Sequence, residues 1–162
     1  MDKDIHPESI YQVLIFDDDI ALGEMLREYL LIAVGCSVTL VHNAPDFWPA
    51  IHGCDFDVLF LDYQLQGGPQ GLTGLEVLEE LRQEDCQVPI VMMTGLGNEK
   101  VAARAIQAGA IDYVVKGDLA NNLNVLPSLI QKAVQRRNLQ SAVRQSEEKV
   151  HYQAMLLENV RD

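Results

Sequence analysis

Of the residue patterns that usually announce a chemistry, this chain lacks most. Its three cysteines, Cys36, Cys54 and Cys86, are odd in number, far apart and in no CxxC pair. That argues against a disulfide framework and against a thiolate metal site. The four histidines, His6, His42, His52 and His151, show no HExxH-like spacing, so zinc chemistry has no ligand set. No apolar run approaches the ~18 residues that span a bilayer. Residues 1–7 are polar and acidic, without the basic and apolar stretches of a secretory leader. The expectation is a cytoplasmic protein with no membrane segment. Basic residues are scarce as well. Residues 1–125 hold six Lys/Arg against twenty Asp/Glu, a local balance of −14 within a whole-chain charge of −12. Phosphate backbones would repel such a surface, which argues against direct nucleic-acid contact. Residues 126–162 hold six against four, or +2, and the change marks a compositional boundary.

What is present is a regular alternation. Of 162 residues, 48% are hydrophobic, enough for one domain with an appendage. Short apolar runs at 12–16, 36–42, 56–61, 88–93 and 111–115 read as buried strands. Segments with helical spacing follow them at 20–34, 44–51, 74–84 and 98–108. Leu22, Met25, Leu26, Tyr29 and Leu30 form the apolar face of the first, with Asp19 placed as its N-cap and Gly35 as its stop. A last helix is expected from near Asn121 towards the end of the chain. Five such units imply a doubly wound α/β domain, a five-stranded parallel sheet with helices on both faces.

Ligands of open parallel sheets bind outside the carboxyl ends of the strands. The ends of strands one, three, four and five carry Asp17 and Asp18, Asp62, Thr94 and Lys116. Alone, each has an ordinary explanation: a helix cap, a solvated turn, a loop threonine, a surface lysine. Placed together at successive strand ends, they form one acidic cluster with a hydroxyl and an ammonium. Clustered carboxylates repel and raise each other's pKa, so the cluster calls for a cation. An all-oxygen donor set suits a hard ion, and Mg²⁺ is the expected cofactor. With it, Asp62 is suited to act as the nucleophile of aspartyl-phosphate chemistry. Lys116 supplies a mobile point charge to a phosphoryl oxygen, and Thr94 a hydrogen bond.

The stretches VLIFDDD (13–19), FDVLFLD (56–62), VPIVMMTG (88–95) and AIQAGAIDYVVKG (105–117) resemble the receiver domain of two-component response regulators. The resemblance covers roughly residues 10–137. It implies the flavodoxin-like strand order 2-1-3-4-5 and makes Asp62 the phosphoacceptor, supplied by a histidine kinase or histidine phosphotransfer protein. It further implies Asp18, Asp62 and the main-chain carbonyl of Gln64 as direct Mg²⁺ ligands, with Asp17 acting through a bound water. Thr94 and Lys116 would grip the phosphoryl group. Tyr113 would be the switch aromatic that turns inward as the Thr94 hydroxyl moves. The output surface implied is the face of the fourth helix, fifth strand and fifth helix, which is also one route to a homodimer.

Two features depart from the family pattern. Leu65 and Gln66 stand where Met-Pro is usual, and the loop 66–73 is about four residues longer, so that the helix-opening glycine arrives at Gly74. Gly117 replaces the usual cis-proline after Lys116, and a trans bond is expected there because non-proline cis bonds cost ~3 kcal/mol. Two other function classes compete. A small aspartyl-phosphate phosphatase usually places a second Asp two residues after the nucleophile, where this chain has Gln64. A degenerate receiver serving only as an interaction or dimerisation domain would not need the full set Asp17, Asp18, Asp62, Thr94 and Lys116. The expectation is therefore a phosphoacceptor module and no stand-alone enzyme, regulating a fused or separate output such as a sensor kinase, PAS or cyclic-dinucleotide module.

The division expected is a flexible lead at 1–10, a receiver domain at 11–137 and a helical extension at 138–162 towards a downstream domain. In that extension Val143, Val150 and Leu157 recur every seven residues, with Leu139, Ser146, Gln153 and Val160 on the complementary seam. Two of those four are polar, so a coiled coil and a plain helical linker both stay open.

Overall fold

The structure, a computed structural model, describes residues 10–66, 71–95 and 99–160. The acidic lead, apart from Ile10, and the middle of the loop after Asp62 lie outside the described residues. The chain alternates β1 (Gln12–Phe16), α1 (Ile20–Ala33), β2 (Ser37–Val41), α2 (Ala44–Gly53), β3 (Val58–Asp62), α3 (Gly74–Gln83), β4 (Ile90–Thr94), α4 (Glu99–Ala108) and β5 (Asp112–Val115). Two further helices follow, α5 (Lys116–Asn121) and the long α6 (Val125–Asn159). The strands form one parallel sheet in the order β2-β1-β3-β4-β5. This is the doubly wound fold and strand order expected.

The strands are apolar throughout because both sheet faces are covered. Leu14, Phe16, Leu59, Leu61, Ile90 and Met92 point to one face, where α2, α3 and α4 contribute Phe47, Val77, Leu78, Leu81 and Ala105. Their neighbours Val13, Ile15, Val58, Phe60, Val91 and Met93 point to the other, against Leu26 and Leu30 of α1 and Leu126, Leu129, Ile130 and Ala133 of α6. Period-two alternation thus feeds two cores from one set of strands. Asp19 caps α1 as expected, its side chain accepting from the Leu22 N–H at 3.0 Å. Gly35, at φ +75°, takes a left-handed turn that lets the Cys36 N–H reach the Leu30 carbonyl at 3.3 Å.

The loop after β3 closes on itself at its base. Gln64 and Thr73 form an antiparallel bridge, made by the Leu65 N–H to Leu72 carbonyl bond at 3.2 Å and the Gly74 N–H to Tyr63 carbonyl bond at 2.7 Å. Leu65 is fully buried, and Leu72 packs on the same core. Thr73 and Glu76 then start α3 with a reciprocal capping box. Gly74 is required where it stands. A β-carbon there would fall inside the van der Waals sphere of the Asp62 carbonyl oxygen and 3.0 Å from the Met92 sulfur, so only glycine lets α3 begin against the end of β3.

One element differs from expectation. A single helix was expected from near Asn121; instead α5 springs directly from β5 at Lys116, the chain breaks at Asn122, and α6 starts at Val125. The Asn121–Asn124 stretch explains the break, since asparagine side chains compete for helical backbone groups. Asn121 bonds the Gly117 carbonyl, and Asn124 accepts from the Tyr29 hydroxyl at 3.2 Å. Pro127 is tolerated because it lies in the first turn of α6. No peptide among the described residues is cis, so the Lys116–Gly117 bond is trans, as expected.

Candidate functional site

Each strand that ends at the carboxyl edge delivers one polar group there. β1 runs into Asp17, whose N–H bonds the Val41 carbonyl of β2 at 3.2 Å. Asp62 is the last residue of β3, and Thr94 the last of β4. Asp17, Asp62 and Thr94 are the buried polar or charged side chains among the described residues. Asp18 is exposed, yet carboxylate oxygens of Asp17, Asp18 and Asp62 lie within 4.8 Å of one another. Lys116, at the junction of β5 and α5, sends its Nζ to Asp17 Oδ2 at 2.8 Å and to Asp62 Oδ2 at 2.9 Å. The sequence-predicted carboxylates and lysine are therefore together.

The electrostatics follow from that crowding. Burial pushes the Asp62 carboxyl up to about 7; Lys116 pulls it back, and the neighbouring Asp17 pushes it further. Asp18 is also raised, by partial burial and then by Asp17. For Lys116, burial acts to lower the pKa, but the close approach and attraction of Asp17 and Asp62 outweigh it and the net direction is up. The site thus carries a surplus of acidic groups over its one cation. Asp17 Oδ2 illustrates the shortfall: it is buried and receives no directed hydrogen bond. Its close neighbour is the Lys116 ammonium at 2.8 Å, which it shares with Asp62. A buried carboxylate oxygen whose neighbouring ammonium is shared, in an all-oxygen cluster, fits a hard divalent cation.

Gln64 contributes through its backbone. Its N–H reaches Asp62 Oδ1 at 3.3 Å. Both hydrogen bonds of the Gln64–Thr73 bridge belong to flanking residues, which leaves the Gln64 carbonyl out of the ladder. Thr94 is placed differently from the carboxylates. Its hydroxyl faces the Val114 carbonyl of β5 at 3.5 Å, a marginal bond, and has none to the cluster. Tyr113 lies on β5 with 43% of its surface exposed, facing outward.

One residue of this edge was missed by sequence reasoning. His42 follows β2, and its Nδ1 lies 2.8 Å from the Asp17 carbonyl. A carbonyl only accepts, so Nδ1 carries the proton. The Asp17 peptide is thereby held on both sides by the end of β2. The signal was available: strand two ends in a polar residue like its four neighbours.

The sequence model of the response regulator receiver domain matches residues 13–125, and the chain belongs to that family. It is 30% identical over 135 residues to the transcriptional regulatory protein FixJ of Bradyrhizobium diazoefficiens, covering 83% of this chain and 58% of FixJ. It is 31% identical over 144 residues to the response regulator protein TodT of Pseudomonas putida, covering 88% of this chain and 60% of TodT. The chain therefore spans about three-fifths of the length of these relatives. Among solved structures, the receiver domain of NtrX from Brucella abortus superposes with a TM-score of 0.67 at 28% identity, over 76% of this chain and 98% of that domain.

Proposed function

We propose that residues 11–137 form a phosphoacceptor unit that takes a phosphoryl group on Asp62 in the presence of Mg²⁺. The observation that carries this reading is the buried Asp62 carboxylate, 2.9 Å from the Lys116 ammonium and inside an acidic triad at the carboxyl edge of the sheet. The donor is the phosphohistidine of a histidine kinase or phosphotransfer protein. An Asp62 oxygen forms the new bond to phosphorus, the phosphorus–nitrogen bond breaks, and the imidazole leaves with the bonding pair. Asp17, Asp18, Asp62 and the Gln64 carbonyl would hold Mg²⁺, which when bound neutralises charge on the phosphoryl oxygens. Lys116 follows the charge from the free carboxylates to a phosphoryl oxygen.

The signal is read on the neighbouring strand. The marginal Thr94–Val114 bond is readily exchanged for a phosphoryl oxygen by a side-chain rotation. Tyr113 then turns from its exposed position into the space beside Thr94, and the surface of α4, β5 and α6 changes shape. The chain acts as a cytoplasmic module rather than a stand-alone enzyme, and residues 138–162 connect it to its output. No described helix is long and apolar enough to cross a membrane.

Intact-mass analysis after incubation with acetyl phosphate tests the assignment. The expected result is one Mg²⁺-dependent phosphoryl group, removed by hydroxylamine and absent from Asp62→Asn. Label retained in the Asn variant, or resistant to hydroxylamine, would refute it.

A further inference from the structure

Helix α6 has two halves with different surroundings. Its first turns are built into the domain: Leu126, Leu129, Ile130 and Ala133 are buried, Lys132 pairs with Asp112 of β5 at 3.0 Å, and Arg137 grips Asp57 at 2.7 Å as well as Asp55. Asp57 also accepts the Gln12 N–H at 2.7 Å, so Arg137 ties the helix to the start of the sheet. Beyond Arg137 no apolar side chain of α6 is buried, yet the helix continues to Asn159. Leu139, Val143, Val150, Leu157 and Val160 are all exposed. Most helical stability in proteins comes from packing of an apolar face, and this stripe is left exposed.

We propose that residues 139–160 pair with the same segment of a second copy of the chain, as a parallel, in-register two-stranded coiled coil. Three features select a second copy in this arrangement. Val143, Val150 and Leu157 occupy one seam position of each heptad, and β-branched residues at two of the three favour two strands. The other seam position alternates Leu139, Ser146, Gln153, Val160. In register, Ser146 meets Ser146 and Gln153 meets Gln153, and a carboxamide satisfies its twin because each has a donor and an acceptor. A reversed pair, or one shifted by a heptad, sets at least one of those polar groups in each chain against an apolar partner, leaving it unsatisfied in the seam. Glu147 and Lys149, which flank the seam, face Ala142 and Ala154 across a parallel pair, so no like charges meet.

The domain permits this pairing. At ~100° per residue, the seam lies roughly 130° around α6 from the face that packs on the sheet, so the two receiver bodies hang outside the coil. Lys132 and Arg136 lie on the same stripe further back, where like charges would face each other across the pair, and they set its near limit after Arg137. Tyr152 and Met155 remain outside the pair, and Leu156, one heptad after Lys149, flanks the seam. The pairing rests on spacing and exposure alone and stands whether or not Asp62 accepts a phosphoryl group.

Sedimentation of the full chain across the micromolar range tests it. The parent chain is expected to dimerise, and Val150→Glu to weaken association by about tenfold or more by burying a charge in the seam. Gln145→Glu, off the seam, should leave association unchanged. Orientation is read by disulfide trapping with Cys54→Ser and Cys86→Ser in place. Val143→Cys and, separately, Leu157→Cys should each cross-link to itself under a disulfide-forming oxidant, which an antiparallel pair would not allow. A chain that stays monomeric throughout that range, or cysteine variants that cross-link only when mixed with each other, would overturn the proposal.

Discussion

Replacing the Asp62 carboxylate by a carboxamide should stabilise the metal-free protein at neutral and alkaline pH. In the folded state Asp62 titrates at about 7 against an ordinary value of 3.8. Between those two values the folded chain holds a proton that the unfolded chain has released, so stability declines as pH rises through the interval and levels off above about pH 7. A displacement of that size corresponds to about 4 kcal/mol. The carboxamide would carry no such dependence. It gives up the ion pair to Lys116, which keeps Asp17 at 2.8 Å. The net gain expected for Asp62→Asn at about pH 8 is therefore about 2–4 kcal/mol, or roughly 5–10 °C in Tm for a chain of this size. Thermal melts followed by circular dichroism in EDTA, from about pH 5 to about pH 8, measure it. The gap should close towards pH 5. Millimolar Mg²⁺ should narrow it at pH 8 by stabilising the parent. A variant no more stable than the parent at pH 8, or a gap independent of pH, would refute the reasoning.

Three other substitutions probe the same edge. Lys116→Ala removes the cation between Asp17 and Asp62; it should lower stability by about 3 kcal/mol at about pH 8 and drive the Asp62 carboxyl above about 7, read by carboxyl NMR titration. Gly74→Ala forces a β-carbon against the Asp62 carbonyl; urea unfolding should show a loss of about 1–3 kcal/mol, and labelling by acetyl phosphate should slow because the acceptor backbone must shift. Leu65→Ala empties a fully buried position at the base of the loop and should cost about 2–4 kcal/mol, measured by the same unfolding curves.

The sheet was legible because its signal is redundant: five apolar runs, each stopping at a polar residue, fix strand number, direction and the edge where ligands bind. The cluster of Asp17, Asp18, Asp62 and Lys116 was legible for the same reason. What escaped was decided by short-range competition. The split between α5 and α6 depends on three asparagines weighed against a long helical run, and periodicity does not report that balance. His42 escaped although strand two stops on it, because a bond to a main-chain carbonyl is not marked by residue type. The turn of the Thr94 hydroxyl toward the Val114 carbonyl is a rotamer choice, and no residue identity encodes it. The buried Leu65 and the closed bridge beneath the loop depend on a pairing that two separated residue pairs make only once folded.

That bridge separates two design problems. The chain between Gln64 and Thr73 leaves and returns at one hydrogen-bonded gate, and the cost of closing a longer loop there grows only with the logarithm of its length. Residues can be added or lost beyond the gate without moving the carboxylate, the start of α3 or the core beneath them. The segment bordering Asp62 is thereby free to diverge, while the geometry of the carboxylate cluster stays as it was.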